Sequence, residues 1–246
     1  MLSFAEKFDR CLAKGIDFSV NEKITIHIPT VEEIIDYGEQ QYYKIIYGFA
    51  ATSSDYKSQL DDEGLDWQKV SDYEMFIRIF LSMRNADLSI VFNKLDCSKL
   101  EFAFDNEIQE YVFIDEENDV RIDRTVYEVI SAFICAMHSI EKTHEIAADE
   151  PTRIAMIEEA RYEIEMQKNK PYEPHLRYMA CAMANTQEFK ADYFQSLQYP
   201  ICVFMDCVRQ VQQNKRFNYT MQGIYAGTID MKKVPKSQLI WLKKAE

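Results

Sequence analysis

The chain has 246 residues, 47% of them hydrophobic and 28% charged, with a net charge of −13. That length and composition suit one large domain or two small ones with a sizeable core, and they exclude disorder as the main state. With only 6 Gly, there is little material for the glycine-rich loops that bring backbone close to phosphates or nucleotides.

The predicted elements begin with a short amphipathic helix over residues 1–14 (Leu2, Phe4, Phe8, Leu12), ended by Gly15. Its opening Met1-Leu2-Ser3-Phe4-Ala5-Glu6-Lys7 mixes acid and base within one turn rather than forming a hydrophobic signal region. Lys23 to Ile28 alternates as a strand or extended arm up to Pro29. Thr30 and Glu33 have the spacing of a capping box, in which the hydroxyl takes a first-turn amide and the carboxylate reaches back. Helices then follow over about 30–37, 39–50 and 53–62, the last capped by Ser53 or Ser54. Ser71 and Glu74 repeat the start signal for a helix of about 71–83 that turns Tyr73, Phe76, Ile77 and Phe80 to one side.

Residues 98–122 change character. Leu100–Phe104 and Tyr111–Ile114 are alternating or aromatic runs, and the turn Asp115–Asp119 leads to Val120–Ile122. This predicts a small antiparallel meander of three strands, which must lie on helices to be stable. Asp123 caps a helix of 124–140 with Val126, Ile130, Phe133, Ile134 and Met137 inward. Pro151 opens a charged helix to about Lys170, exposed and supported by Glu158 with Arg161 and Glu165 with Lys168. Pro171 and Pro174 end it. Helices of about 174–185, 190–198 and 200–216 follow, with Gly223 and Gly227 breaking the last before a short terminal helix that carries Trp241. The fold class expected is mainly α: one helical domain, 1–246, with the β-meander at about 98–122.

Motifs for chemistry are sparse. Asp115–Asp119 lacks the glycine of a calcium loop and reads as a solvated hairpin tip. Glu141-Lys142-Thr143-His144 is a single Glu-x-x-His unit where paired metal sites need two. There is no Gly-x-Ser-x-Gly. Tyr42, Tyr43, Tyr47 and Tyr56 lie in an acidic stretch, which favours packing over base stacking and argues against nucleic acid as a partner. Asp61-Asp62-Glu63 reads as solvated surface or a partner contact. Six cysteines show no metal or redox spacing. Cys135, Cys181, Cys202 and Cys207 sit in apolar company, so reduced core thiols and a cytosolic protein are expected. No catalytic, cofactor-binding or metal residue is assigned, and no cofactor is expected.

The charge is divided unevenly. Residues 1–208 hold 20 Lys and Arg against 39 Asp and Glu, whereas residues 209–246 hold 8 against 2. An acidic body with a basic end attracts a separate acidic surface or the body of another copy. The candidate partner-binding residues are Gly223, Ile224, Tyr225, Gly227, Lys232, Lys233, Lys236 and Trp241, which join flexible backbone, large aromatic area and positive charge. The alternative for this segment is that it folds back onto its own core.

Five phrases occur in order: Ile28-Pro29-Thr30-Val31-Glu32-Glu33-Ile34-Ile35-Asp36-Tyr37-Gly38, Leu65-Asp66-Trp67, Ser71-Asp72-Tyr73-Glu74-Met75-Phe76, Met221 through Asp230, and Leu239-Ile240-Trp241. Together they resemble a group of tailed-bacteriophage and prophage proteins from Gram-positive hosts, encoded among structural and tail-assembly genes. The resemblance spans nearly the whole chain. It implies a non-enzymatic morphogenesis role, as virion component or chaperone-like tail-assembly protein. It further implies a place in the host cytoplasm or the virion with phage structural proteins as partners, beside the copies of itself that the charge division suggests; no apolar run approaches 18 residues, so no membrane is expected. It brings no active-site residue with it. Two other classes compete with it: an inhibitor of a host or defence protein that mimics nucleic acid with its acidic body, and a metal-dependent enzyme built on scattered acids.

Overall fold

The computed structural model describes residues 4–242, so Met1 and Leu2 and the lysines 243 and 244 lie outside the described residues. In chain order the elements are α1 (Phe4–Lys14), β1 (Phe18–Ser19), β2 (Thr25–Ile26), α2 (Val31–Tyr37), α3 (Glu39–Ala50), α4 (Lys57–Asp62), α5 (Asp72–Met83) and α6 (Ser89–Phe92). There follow β3 (Glu101–Asp105), β4 (Glu110–Asp115), β5 (Val120–Ile122), α7 (Arg124–His138), α8 (Glu150–Gln167), α9 (Leu176–Ala184), α10 (Tyr193–Leu197) and α11 (Ile201–Tyr225). The fold is mainly α, as expected, and β3-β4-β5 form the antiparallel meander in that order.

Local chemistry sets the helix starts. Thr30 with Glu33 and Ser71 with Glu74 each form a full capping box, and Asp123 accepts from the Val126 amide. Near residue 53 the expectation was off by one position. Thr52, not Ser53 or Ser54, is the cap, boxed with Asp55, and it opens a 3-10 turn (53–56) before α4. Lys23–Ile28 contributes only the two residues of β2 to a strand, and these pair with β1, which at two residues is too short to show a period in the sequence.

The core is organised around α7. Tyr127, Ile130, Phe133, Ile134 and Met137 are buried on it, while Val126 is only partly buried. α3, α5 and α11 pack around it, and the meander closes one side through Phe113, whose ring meets Phe76 at 5.9 Å and Phe80 at 4.8 Å. Aromatic pairs at such spacings add to the stabilisation from area burial. A second, smaller cluster of Leu60, Trp67, Met75 and Ile157 seats α8 on α4 and α5.

Ile157 is the one buried residue of α8, so this helix is as exposed as its charge pattern predicts. Its ion pairs differ from the prediction. Arg161 does bind Glu158 (2.8 Å), but it also crosses to Asp61 (2.8 Å) and Asp62 (2.6 Å). No Glu165–Lys168 pair is present among the described residues. Arg78 meets Glu63 at 2.5 Å. The acidic triplet is therefore neutralised from within the chain rather than left as free surface. Acids at the C-terminal end of α4 oppose the helix dipole, and Arg161 offsets this. The Arg161→Ala variant is expected to melt at a lower temperature than the parent at low salt, with the difference shrinking as salt rises. A difference independent of salt would assign the effect to packing instead.

Candidate functional site

The predicted docking segment lies at the end of α11, and its geometry corrects two expectations. Gly223 does not break the helix, which continues to Tyr225 and stops at Gly227 (φ +69°). The stop is a Schellman motif. The Thr228 amide donates to the Gly223 carbonyl (2.9 Å) and the Gly227 amide to that of Ile224 (3.0 Å). Gly223 permits a close approach: a Cβ there would lie 2.5 Å from Cδ1 of Ile229, which folds over it and would have to shift. The chain then returns along α11 through 3-10 turns at Met231–Lys233 and Lys236–Leu239. Trp241 lies beyond the second turn, not in a helix. Its carbonyl accepts from the side-chain amides of Gln210 (2.9 Å) and Gln213 (3.1 Å).

The strap thus folds back onto its own helix but not onto the core. None of residues 212–242 belongs to either core cluster. Together they form an arm in which Lys232, Lys233 and Lys236 are exposed, as are Tyr219, Tyr225, Met231, Ile240 and Leu242. Its charges are Lys215, Arg216, Lys232, Lys233 and Lys236 against Asp230. Of the predicted residues, the structure brings Gly223, Ile224, Tyr225 and Gly227 to the tip and places the lysines on the returning strap.

A second feature was not foreseen. α3 and α9 form the walls of a cleft of about 720 Å³, floored by His138 and Ile140 at the end of α7 and by Met205. Glu39, Tyr43 and Tyr47 face it from α3 at helical spacing of four. Tyr178, Met179 and Ala182 face it from α9, with Tyr172 and His175 at its inner end. Glu39 fixes the geometry. Its carboxylate is buried and accepts from the Tyr172 hydroxyl (2.9 Å), the His175 amide (2.8 Å) and the Leu176 amide (3.1 Å). It is therefore a cap for α9 supplied from another helix. Burial and this bond to a carboxylate raise the Tyr172 hydroxyl pKa. On the floor, His138 Nε2 lies 2.8 Å from the Tyr42 hydroxyl and is hydrogen-bonded to it, and burial lowers its pKa to about 4, so the ring is neutral near pH 7. Tyr42 packs in the core as expected, but Tyr47 is 59% exposed and Tyr178 68%. The regular spacing of Glu39, Tyr43 and Tyr47 was the available signal in the sequence. Nothing local pointed to the opposite wall.

Other candidate groups are held in structural pairs. His144 and Lys142 both bind Asp72, at 2.9 Å each, and Lys142 also donates to Tyr127 (3.1 Å). Among the described residues no group of three or more His, Cys, Asp or Glu is placed to hold a metal ion, and no helix is long and apolar enough to cross a membrane. All six cysteines are free. Cys97 and Cys202 are buried, and burial pushes their thiols up to about 12 and about 11. Cys181 is exposed on α9, contrary to the expectation of a core thiol, because Ala180 and Met183 occupy the inward positions of that helix. The turn Asp115–Asp119 is a hairpin tip closed by Asn118 bonding back to Asp115 at 2.7 Å. No family model, curated protein or solved structure matches this chain.

Proposed function

We propose that this protein is a non-enzymatic bacteriophage morphogenesis protein, structural or chaperone-like in tail assembly, that works by protein–protein contact through its C-terminal arm. The sequence phrases that resemble phage proteins supply the setting, and the arm is the observation that carries the mode of action. Residues 212–242 hold five cations and one carboxylate, whereas residues 1–211 hold 21 Lys and Arg against 39 Asp and Glu. An arm of mainly positive charge, with exposed Tyr219, Tyr225 and Met231, has the makings of an interface. The charge steers encounter with an acidic partner, and the aromatic rings give contact area at low entropic cost. The acidic body of a second copy or of another phage protein is such a partner.

The test is capture from cells that express the phage structural genes, using the full chain and a variant with Lys232, Lys233 and Lys236 changed to Glu. The intact protein is expected to retain phage assembly proteins or further copies of itself at low salt and to release them as salt rises. The variant is expected to lose them while keeping its melting temperature. Equal capture by the folded variant, or retention of host nucleic-acid-binding proteins in place of phage proteins, would refute the reading.

A further inference from the structure

The cleft between α3 and α9 has no part in the contact mechanism above, and its chemistry is unusual for a surface hollow. Four tyrosines (Tyr43, Tyr47, Tyr172, Tyr178) and two histidines line it with Met179, Met205, Ile140 and Ala182. Its volume lies within the ~300–1,000 Å³ range of small-molecule sites. Tyr43 and Tyr47 lie side by side along one wall, with ring centroids 6.2 Å apart and planes inclined by 33°. Tyr43 also stands edge-to-face with His138 at 5.9 Å, which fixes its ring. Tyr47 and Tyr178 stand at the mouth from opposite walls, and both are mostly exposed. The hydroxyls of Tyr43, Tyr47 and Tyr178 make no hydrogen bond among the described residues.

The electrostatics are one-sided. Glu39 is the one carboxylate of the lining, which contains no Lys or Arg, and among the described residues it forms no ion pair. Glu39 lies in the first turn of α3, and the N-terminus of α9 holds its carboxylate through two amides, which bring partial but no formal positive charge. The floor is the C-terminal end of α7, where Ser139 takes the left-handed conformation (φ 54°) and the Ile140 amide closes back on the Cys135 carbonyl at 2.9 Å. That helix end carries partial negative charge. His138 adds no positive charge near neutral pH. An adjoining hollow that shares Tyr47 and Ile140 adds Asp55 and Glu141 to the approach, while its Lys142 is already bound by Asp72 and Tyr127. Aromatic rings around a space that is negative and partly desolvated form the environment that binds organic cations, since the ring quadrupole attracts positive charge and the apolar lining accepts alkyl groups.

We propose that this cleft is a binding site for an alkylammonium group, received among Tyr43, Tyr47 and Tyr178 and drawn inward by Glu39. Such a group comes either from a free organic cation or from a lysine side chain of a partner protein, and the chemistry of recognition is the same for both.

The test follows the methyl resonances of Met179 and Met205 in the full chain during titration with three probes. These are choline, a neutral isostere in which tert-butyl replaces trimethylammonium, and an N-acetylated lysine amide. Choline or the lysine amide is expected to give saturable shifts, with the neutral isostere at least about tenfold weaker. The tighter of the two cations identifies the source. Tyr47→Leu and Tyr178→Leu keep an apolar side chain at exposed positions, and each is expected to weaken cation binding by about two- to tenfold without changing the melting temperature. Equal binding of the isostere would overturn the proposal, as would the absence of saturable shifts with both cations. So would unchanged affinity in both leucine variants.

Discussion

Replacing Glu39 with alanine is expected to destabilise the folded chain by about 4 kcal/mol and to release the segment 172–176 from α3. The figure follows from what the carboxylate holds. It accepts one hydroxyl and two backbone amides, and the Leu176 bond is buried. Each buried donor left without a partner costs about 1–3 kcal/mol, and hydrogen bonds to charged groups lie at the upper end. Water reaches the Tyr172 hydroxyl and the His175 amide more easily than the Leu176 amide, which keeps the total below the sum of three full penalties. Glutamine does not rescue fully, because its amide nitrogen would meet a donor on one side of the cap. Urea unfolding with hydrogen exchange at His175 and Leu176 measures both effects. Normal stability and undiminished protection of these amides in Glu39→Ala would show that α9 is held by its apolar face alone.

The second large effect is a loss of stability in mild acid. His138 has a pKa of about 4 in the folded chain because burial opposes its charged form, whereas an unfolded histidine titrates near 6.5. Above about pH 6.5 the ring is neutral in both states and no proton is exchanged on unfolding. Between about 6.5 and 4 the unfolded chain binds the proton and the folded chain does not, so stability falls as pH falls. The depressed pKa corresponds to up to about 3 kcal/mol at full development. Contact of the ring with the open cleft makes this an upper bound. The groups around it are Tyr42, Tyr43, Tyr47, Tyr172, His175 and Glu39. Carboxylates held below their usual pKa, such as Glu33, Glu74 and Asp72, add their own losses at lower pH. His138→Gln keeps a polar partner, able to donate or accept, for the Tyr42 hydroxyl and cannot titrate. Its stability should be flatter than that of the parent between pH 6.5 and 5, and identical slopes for the two proteins would exclude His138 as the source.

What could be read from the sequence was what is decided within one helical turn or one strand period. The boxes at Thr30 and Ser71, the cap at Asp123 and the alternation of residues 101–122 are contacts between residues a few positions apart, and all were legible. Glu39 was not, because the amides it caps lie 136 and 137 positions away and nothing near either partner announces the pairing. Arg161 was half legible: its bond to Glu158 follows from helical spacing, but its bonds to Asp61 and Asp62 depend on where α8 lands. Gly223 misled for a related reason. A glycine near a helix end suggests a break, but here the missing side chain makes room for Ile229 inside a motif that stops the helix four residues later. At the cleft, Tyr43 and Tyr47 mark one wall by their spacing, and the second wall exists only once α9 is brought alongside.

The continuity of α11 has a mechanical consequence. Its first part, to Val211, is anchored in the core, and its remaining 14 residues, about 21 Å at the helical rise, carry the arm with no joint between them. A linker of that length would sample a wide cone and surrender the freedom on capture. A helix held at its root has surrendered most of it during folding, so the tip meets a partner in a set direction with little left to lose. The same stiffness works in reverse: a load applied at Tyr225 acts as a torque on Phe204 and Val208, deep among the helices around α7.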